Sequence, residues 1–323
     1  MNERIQRLRN RLFDQEPRIC SQRCVIFTNS MKKSEGKPIA LRRSQAFYDV
    51  LDKMTVYVNE DELIVGNQAR WPKASPIFPE YSTEWLENEL NGKPFYPHER
   101  PGDKFYYDEE DKENILDCVS YWKGKSLYEN LRKTLPDYIN AAWDANVIDD
   151  TWVSAAGLGN EVVDYELVVN KGLEDVMRRI KERRNSLDLK EPGNVKKSWF
   201  LDAALQGNQA VVNFSNRIAE ECERQALTAK DEKCKQELNE LAEICRHVPR
   251  YPARTFHEAV QAIYMILLTV HLESNGHAIS LGRFDQYVYP LYKKDLEEGR
   301  ITREEALEII EAFFIKCNEL NKL

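Results

Sequence analysis

Between Ala259 and Leu272 lie 14 residues, AVQAIYMILLTVHL, with only Gln261, Thr269 and His271 polar. A helix that is apolar on nearly every face has to be surrounded by protein. The stretch is shorter than the roughly 20 residues that cross a bilayer. It therefore reads as a buried core helix over 256–272. Thr255 and Glu258 have the spacing of a capping box at its start.

The rest of the chain supplies helices to pack around it. Ile5, Leu8, Leu12 and Phe13 recur at spacings of three and four. Pro38 suits the first turn of a helix over 39–54. Further helices are predicted at about 83–90, 109–122, 125–143, 164–186, 196–229 and 230–246. Thr302 and Glu305 form a second capping box, opening a helix with Leu307, Ile310, Phe314 and Cys317 on one face and running to Leu323. Glycine is scarce, 13 of 323 residues or about 4%, against a usual ~7%. Scarce glycine disfavours turn-rich all-β folds. Val56, Val58 and Leu63–Val65 predict two short strands around the acidic turn Asn59–Asp61. Residues 67–108 are rich in proline and aromatics and read as a long ordered loop region.

Charge and cysteine content narrow the function. The 46 basic and 54 acidic side chains give a net charge of −8, which disfavours nucleic-acid binding. No stretch is long enough for a membrane span, and the first residues lack the apolar core of a secretory signal. Seven cysteines, an odd number, read as reduced thiols of a cytoplasmic protein.

Local motifs assign no catalytic residue and no metal site. Cys20 and Cys24 lie on one helical face and read as core thiols. His271, Glu273 and His277 match no zinc-helix spacing. Gly157-Leu158-Gly159-Asn160 lacks the third glycine of a dinucleotide fingerprint. Cys317-Asn318-Glu319 places a thiol two residues before a carboxylate, but its periodicity puts Cys317 on the core face, so it reads as packing.

Three long segments carry more information. They are 54–86 (MTVYVNEDELIVGNQARWPKASPIFPEYSTEWL), 157–173 (GLGNEVVDYELVVNKGL) and 273–322, which begins ESNGHAISLGRFDQY. Together they resemble the N-terminal part of glycyl radical enzymes related to pyruvate formate-lyase, nearest the glycerol dehydratase and choline lyase branch. The resemblance implies a mainly α chain with short strands, the N-terminal part of a ten-stranded α/β barrel wrapped in helices. It makes residues 1–323 one truncated domain. It also implies a protein glycyl radical installed by a radical S-adenosylmethionine activase, no cofactor bound in this chain, and a small-molecule substrate. Complete members are commonly homodimers and work in anaerobic cytoplasm. The thiyl formed from a central cysteine abstracts a substrate hydrogen, and C–O, C–N, C–C or C–S cleavage follows.

By the same resemblance, Asn160, Asp164, His277 and Ala278 line the substrate pocket. Glycerol dehydratases have histidine at the Asn160 position and serine at the Ala278 position. Two polar pocket groups are therefore changed, one of them to a methyl, and a hydroxyl-binding site that loses a partner makes glycerol a poor fit here. Arg283 and Asp285 are expected to form a buried or half-buried structural ion pair. The family's G-C-x-E and R-V-x-G-Y loops do not occur in the sequence, so the chain alone is expected to be inactive, completed by a C-terminal chain or continuation. The rival expectation is a non-enzymatic remnant or interaction module that pairs with a related full-length subunit.

Overall fold

A computed structural model describes residues 2–148, 157, 160–276 and 278–323. In chain order the elements are α1 (Glu3–Asp14), β1 (Arg18–Cys20), α2 (Gln22–Lys33), α3 (Ile39–Lys53), β2 (Ala74–Pro76), α4 (Glu84–Leu90), α5 (Glu109–Trp122), α6 (Leu127–Thr134), α7 (Asp137–Asp144), β3 (Glu161–Val162), α8 (Tyr165–Asn185), α9 (Pro192–Ala226), α10 (Glu232–His247), α11 (Phe256–Glu273), β4 (Ile279–Ser280), α12 (Phe284–Glu297) and α13 (Arg303–Cys317). The strands form two parallel pairs, β1 with β2 and β3 with β4.

The apolar helix is the centre, as its composition requires. Helices α8, α9, α10, α12 and α13 all pack on α11. From Phe256 to Leu272 only His257 and Val270 are not fully buried. Each large apolar side chain so buried contributes about 1.5–3 kcal/mol. Thr255 caps the first turn by accepting from the Glu258 N–H at 3.2 Å. The reciprocal half of that box is missing, because the Glu258 carboxylate accepts from the Arg254 N–H instead, at 2.6 Å. At α13 the box is complete.

Segment 55–66 corrects one expectation. It contains no strand, turning at 60–61 and bending at 63–64. Its backbone groups are satisfied by side chains. Gln261, fully buried in α11, donates to Val65 O and accepts from Val65 N, both at 2.9 Å. Gln22 accepts from Thr55 N at 2.9 Å, and Asn67 bridges Tyr57 N and Thr55 O. An amide side chain offers the same donor and acceptor as a peptide group, so the apolar alternation persists without a ladder.

Two helix expectations also change. The stretch 125–143 is two helices, because Pro136 lacks an N–H and restricts the residue before it. The last helix stops at Cys317 and residues 318–323 turn back across the molecule. Gln68 Nε2 donates to Asn321 O at 2.8 Å, and Asn321 Nδ2 donates to Lys73 O at 3.1 Å. Lys316, 3% exposed, ties this turn to the 55–66 segment. Its Nζ lies 2.7 Å from Glu62 Oε1 and 2.8 Å from Glu319 Oε2.

α8 is kinked at Gly172, whose φ of 72° is outside the helical region. A Cβ there would stand 2.4 Å from Arg250 O. Glycine allows the 249–253 segment to run against α8, where Leu173 N donates to Pro249 O and Ala253 N to Val169 O, both at 2.9 Å.

Candidate functional site

The two glycine-containing motifs meet although they are far apart in sequence. β3 and β4 pair in parallel, with Glu161 opposite Ile279 and Val162 opposite Ser280. Glu161 N donates to Ala278 O at 3.0 Å. Asn160 and Ala278 therefore sit side by side at the entrance to the pair, and both are exposed. Asn160 has a φ of 61°, a region that asparagine tolerates better than most residues. Asp164 follows two residues after β3. It is exposed and caps α8, its Oδ1 accepting from Leu167 N at 3.0 Å. His277 lies outside the described residues. Three of the four expected pocket residues are thus placed on adjoining loops.

Behind these loops lies the C-terminal end of α11. A helix ends with unpaired carbonyls and partial negative charge. Here three cations hold those carbonyls. Arg23 Nε donates to Leu272 O at 2.8 Å. Arg43 Nη2 donates to Glu273 O at 3.1 Å. Lys322 Nζ donates to His271 O at 2.8 Å and to Ser274 O at 3.1 Å. The chain leaving this end is the loop that carries His277 and Ala278.

Each cation has its own setting. Arg23 is 2% exposed and paired with Glu80 at 2.7 Å. Its guanidinium lies 3.7 Å from the centre of the Phe78 ring and 4.6 Å from that of Phe27. Arg43 pairs with Glu273 at 2.7 Å and donates to Tyr81 OH at 3.0 Å. Burial, the largest influence on Arg43, pulls its pKa down, but Glu273, Tyr81 and Glu80 outweigh it and raise it. Lys322 has no carboxylate within ion-pair distance among the described residues. Burial, then Arg23, pulls its ammonium well below the usual lysine range, against a weaker opposing effect of Glu80.

Tyr81 joins the two motifs from beneath. Its hydroxyl donates to Ser274 Oγ at 3.4 Å. A Cβ on Gly157, whose φ is 98°, would stand 3.0 Å from Tyr81 Cζ. Glycine is required there by both conformation and space. Asn275, 6% exposed, has an Oδ1 without a hydrogen-bond partner among the described residues. Burying a lone acceptor is costly, so this atom is available to a donor.

Other expectations fare differently. Arg283 and Asp285 are both exposed, and no ion pair joins them among the described residues. They flank the exposed start of α12, where a solvated charge needs no partner. Cys317 packs against the main core, and burial pushes its thiol up to about 12. That is the reverse of an activated thiolate. Glu273, considered with His271 and His277, is engaged by Arg43.

Sequence reasoning missed Arg23, Arg43, Tyr81 and Lys322. Arg23 and Arg43 look like ordinary helix-surface arginines, and only the fold turns them onto α11. The run Phe78-Pro79-Glu80-Tyr81 did stand inside one of the three informative segments.

A family described as pyruvate formate lyase-like matches residues 1–323. Isethionate sulfite-lyase of Oleidesulfovibrio alaskensis is 34% identical over 97% of this chain and 39% of its own length. The glycerol-bound B12-independent glycerol dehydratase from Clostridium butyricum superposes with a TM-score of 0.96 at 34% identity, over 100% of this chain and 40% of that one. A glycyl radical enzyme from Archaeoglobus fulgidus superposes with a TM-score of 0.91 at 32% identity, over 98% of this chain and 40% of that one. The chain spans about two fifths of the length of these relatives. With a family match over its full length and the same fold in solved structures, the chain belongs to the pyruvate formate lyase-like family.

Proposed function

We propose that residues 1–323 form the N-terminal part of a glycyl radical lyase or dehydratase acting on a small molecule. The observation that carries this is the pairing of β3 with β4, which sets Asn160 beside Ala278. Asn160, Asp164, His277 and Ala278 line one wall of the substrate pocket. Asn160 supplies an amide donor and acceptor. Ala278 supplies a methyl group, which favours a substrate with fewer hydroxyls than glycerol. Arg23, Arg43 and Lys322, bonded to the carbonyls at the end of α11, fix the chain that leads to Ala278. The glycyl radical, installed by a radical S-adenosylmethionine activase, supplies the hydrogen abstraction that begins C–O, C–N, C–C or C–S cleavage. The radical cysteine and glycine are contributed by sequence other than this, so the chain alone is inactive. The working enzyme is a cytoplasmic homodimer, or a pair with a complementing C-terminal chain.

The test is reconstitution. The polypeptide encoded downstream of Leu323 is combined with residues 1–323, the activase and S-adenosylmethionine under anaerobic conditions. A glycyl radical signal in electron paramagnetic resonance, with turnover of a small diol or hydroxysulfonate, is expected. A stop codon after Leu323 with no complementing reading frame would sink this reading and leave the remnant that pairs with a related subunit.

A further inference from the structure

β3 and β4 run in parallel, so the chain leaves both strands at the same end. Segments 162–166 and 281–283, with Gln286 and Tyr287, border a cavity of about 590 Å³ there, a size ordinary for a small-ligand site. It lies at the far end of the pair from Asn160 and Ala278. Of the expected pocket residues, Asp164 borders it. Arg283, at the start of α12, and Glu166, in the first turn of α8, border it too and are exposed. Neither side chain has a hydrogen bond or ion pair among the described residues. Asp164 caps α8 with Oδ1, which leaves its other oxygen open.

Two further features point to a ligand. No side chain caps α12. Of its first three N–H groups, that of Gln286 donates to Arg283 O at 2.9 Å. Those of Phe284 and Asp285 have no acceptor among the described residues. Open amides at a helix start carry partial positive charge and bind carboxylates. The second feature is a buried phenol. Tyr165 is 1% exposed, and its hydroxyl has no hydrogen-bond partner among the described residues. Its ring stacks on that of Tyr287, with the centroids 6.4 Å apart. The Tyr287 hydroxyl is satisfied, donating to Leu281 O at 2.7 Å. A lone buried hydroxyl costs free energy unless something outside the chain completes it. Tyr165 borders the cavity, so a bound ligand is in place to do so.

The charges select the ligand. A phosphate or other bare anion would meet Asp164 and Glu166. A bare amine would meet Arg283 and the positive end of α12. A molecule with both a carboxylate and an ammonium offers a partner to each side. The apolar part of the lining, Val162, Val163 and Leu281, suits a hydrocarbon side chain. Val162 is 69% exposed, so covering it removes apolar surface from water. We propose that this cavity binds an α-amino acid with an aliphatic side chain. Its carboxylate is held by Arg283, the open amides of α12 and the Tyr165 hydroxyl, and its ammonium by Glu166 and Asp164. The ligand bridges the first turns of α8 and α12, the helices that follow β3 and β4. Its binding therefore reinforces the pairing that sets Asn160 beside Ala278.

The test measures the melting temperature of residues 1–323 at rising concentrations of L-leucine. A saturable rise is expected, since a ligand that binds only the folded chain stabilises it by mass action. Isocaproate, which lacks the ammonium, and isoamylamine, which lacks the carboxylate, should each bind about tenfold more weakly, the loss of one set of charge-assisted hydrogen bonds. Arg283→Gln and Glu166→Gln should each weaken L-leucine by about the same factor. Both residues are exposed, so the ligand-free melting temperature should stay where it is. Tyr165→Phe removes only the unpartnered hydroxyl. It should keep or raise the ligand-free melting temperature and still weaken L-leucine about fivefold. The proposal is overturned by the absence of a saturable shift with L-leucine, or by isocaproate or isoamylamine binding as tightly. Undiminished L-leucine affinity in Arg283→Gln, Glu166→Gln or Tyr165→Phe overturns it as well.

Discussion

Glu161 donates its backbone N–H to the carbonyl of Ala278 at 3.0 Å, closing a two-residue parallel ladder between the motifs that hold the candidate pocket. The ladder is too short to be stable by itself. It persists because its flanking loops are anchored from below by Tyr81, Arg23, Arg43 and Lys322.

The pairing itself is open to a direct test. Asn160→Cys combined with Ala278→Cys should cross-link under mild oxidation, since adjoining ladder positions bring Cα atoms within disulfide range. Peptide mapping should find a link between positions 160 and 278. Asn160→Cys with Ser280→Cys should give far less. Equal yields would mean that the register is different in solution.

Gly172→Ala should be among the most destabilising single changes in the chain. The positive φ alone costs about 1–3 kcal/mol, and the 2.4 Å approach to Arg250 O forces the 249–253 segment to move as well. A urea titration should show the midpoint fall. Gly207→Ala in α9, where a Cβ meets nothing within 4 Å, should instead be neutral or gain up to about 1 kcal/mol.

Lys316 offers a charge test. Burial, its largest influence, lowers its pKa, but Glu319 and Glu62 outweigh burial and raise it. A raised lysine pKa contributes stability that is present below the unfolded value of about 10.4 and is lost as pH rises through the folded one. Lys316→Met should cost about 3–5 kcal/mol by leaving buried Glu62 and half-buried Glu319 without their cation. It should also abolish the alkaline loss. Adding Glu62→Gln should recover part of the cost in a denaturation series at several pH values.

Lys322 should behave in the opposite sense. Its folded pKa is depressed by burial, so the unfolded chain binds more protons between the folded value and about 10.4. Stability contributed through this residue therefore rises with pH across that window. Lys322→Met should flatten the rise. If the melting temperature of both proteins follows the same pH curve, Lys322 does not carry the effect.

Much of the helical frame was legible in the sequence. The central apolar helix, the helices over 39–53, 84–90 and 109–122, and the Thr302 capping box follow from periodicity and local hydrogen-bonding chemistry, which act within a few residues. The family was legible too, through three segments long enough to be specific. What misled were places where a local signal had a non-local partner. Leu63–Val65 reads like a strand, yet Gln261, some 200 positions away, takes the place of a neighbouring strand at Val65. The apolar face of the last helix gave no sign that Gln68 and Lys316 would turn the chain at Cys317.

By itself the sequence determined which segments coil, which faces must be buried and which family's motifs are present, because those depend on spacing along one chain. Only the tertiary structure decided that Asn160 and Ala278 are neighbours and that Arg23, Arg43 and Lys322 share the end of one helix. Those relationships depend on distances between elements remote in sequence, and packing around α11 sets them.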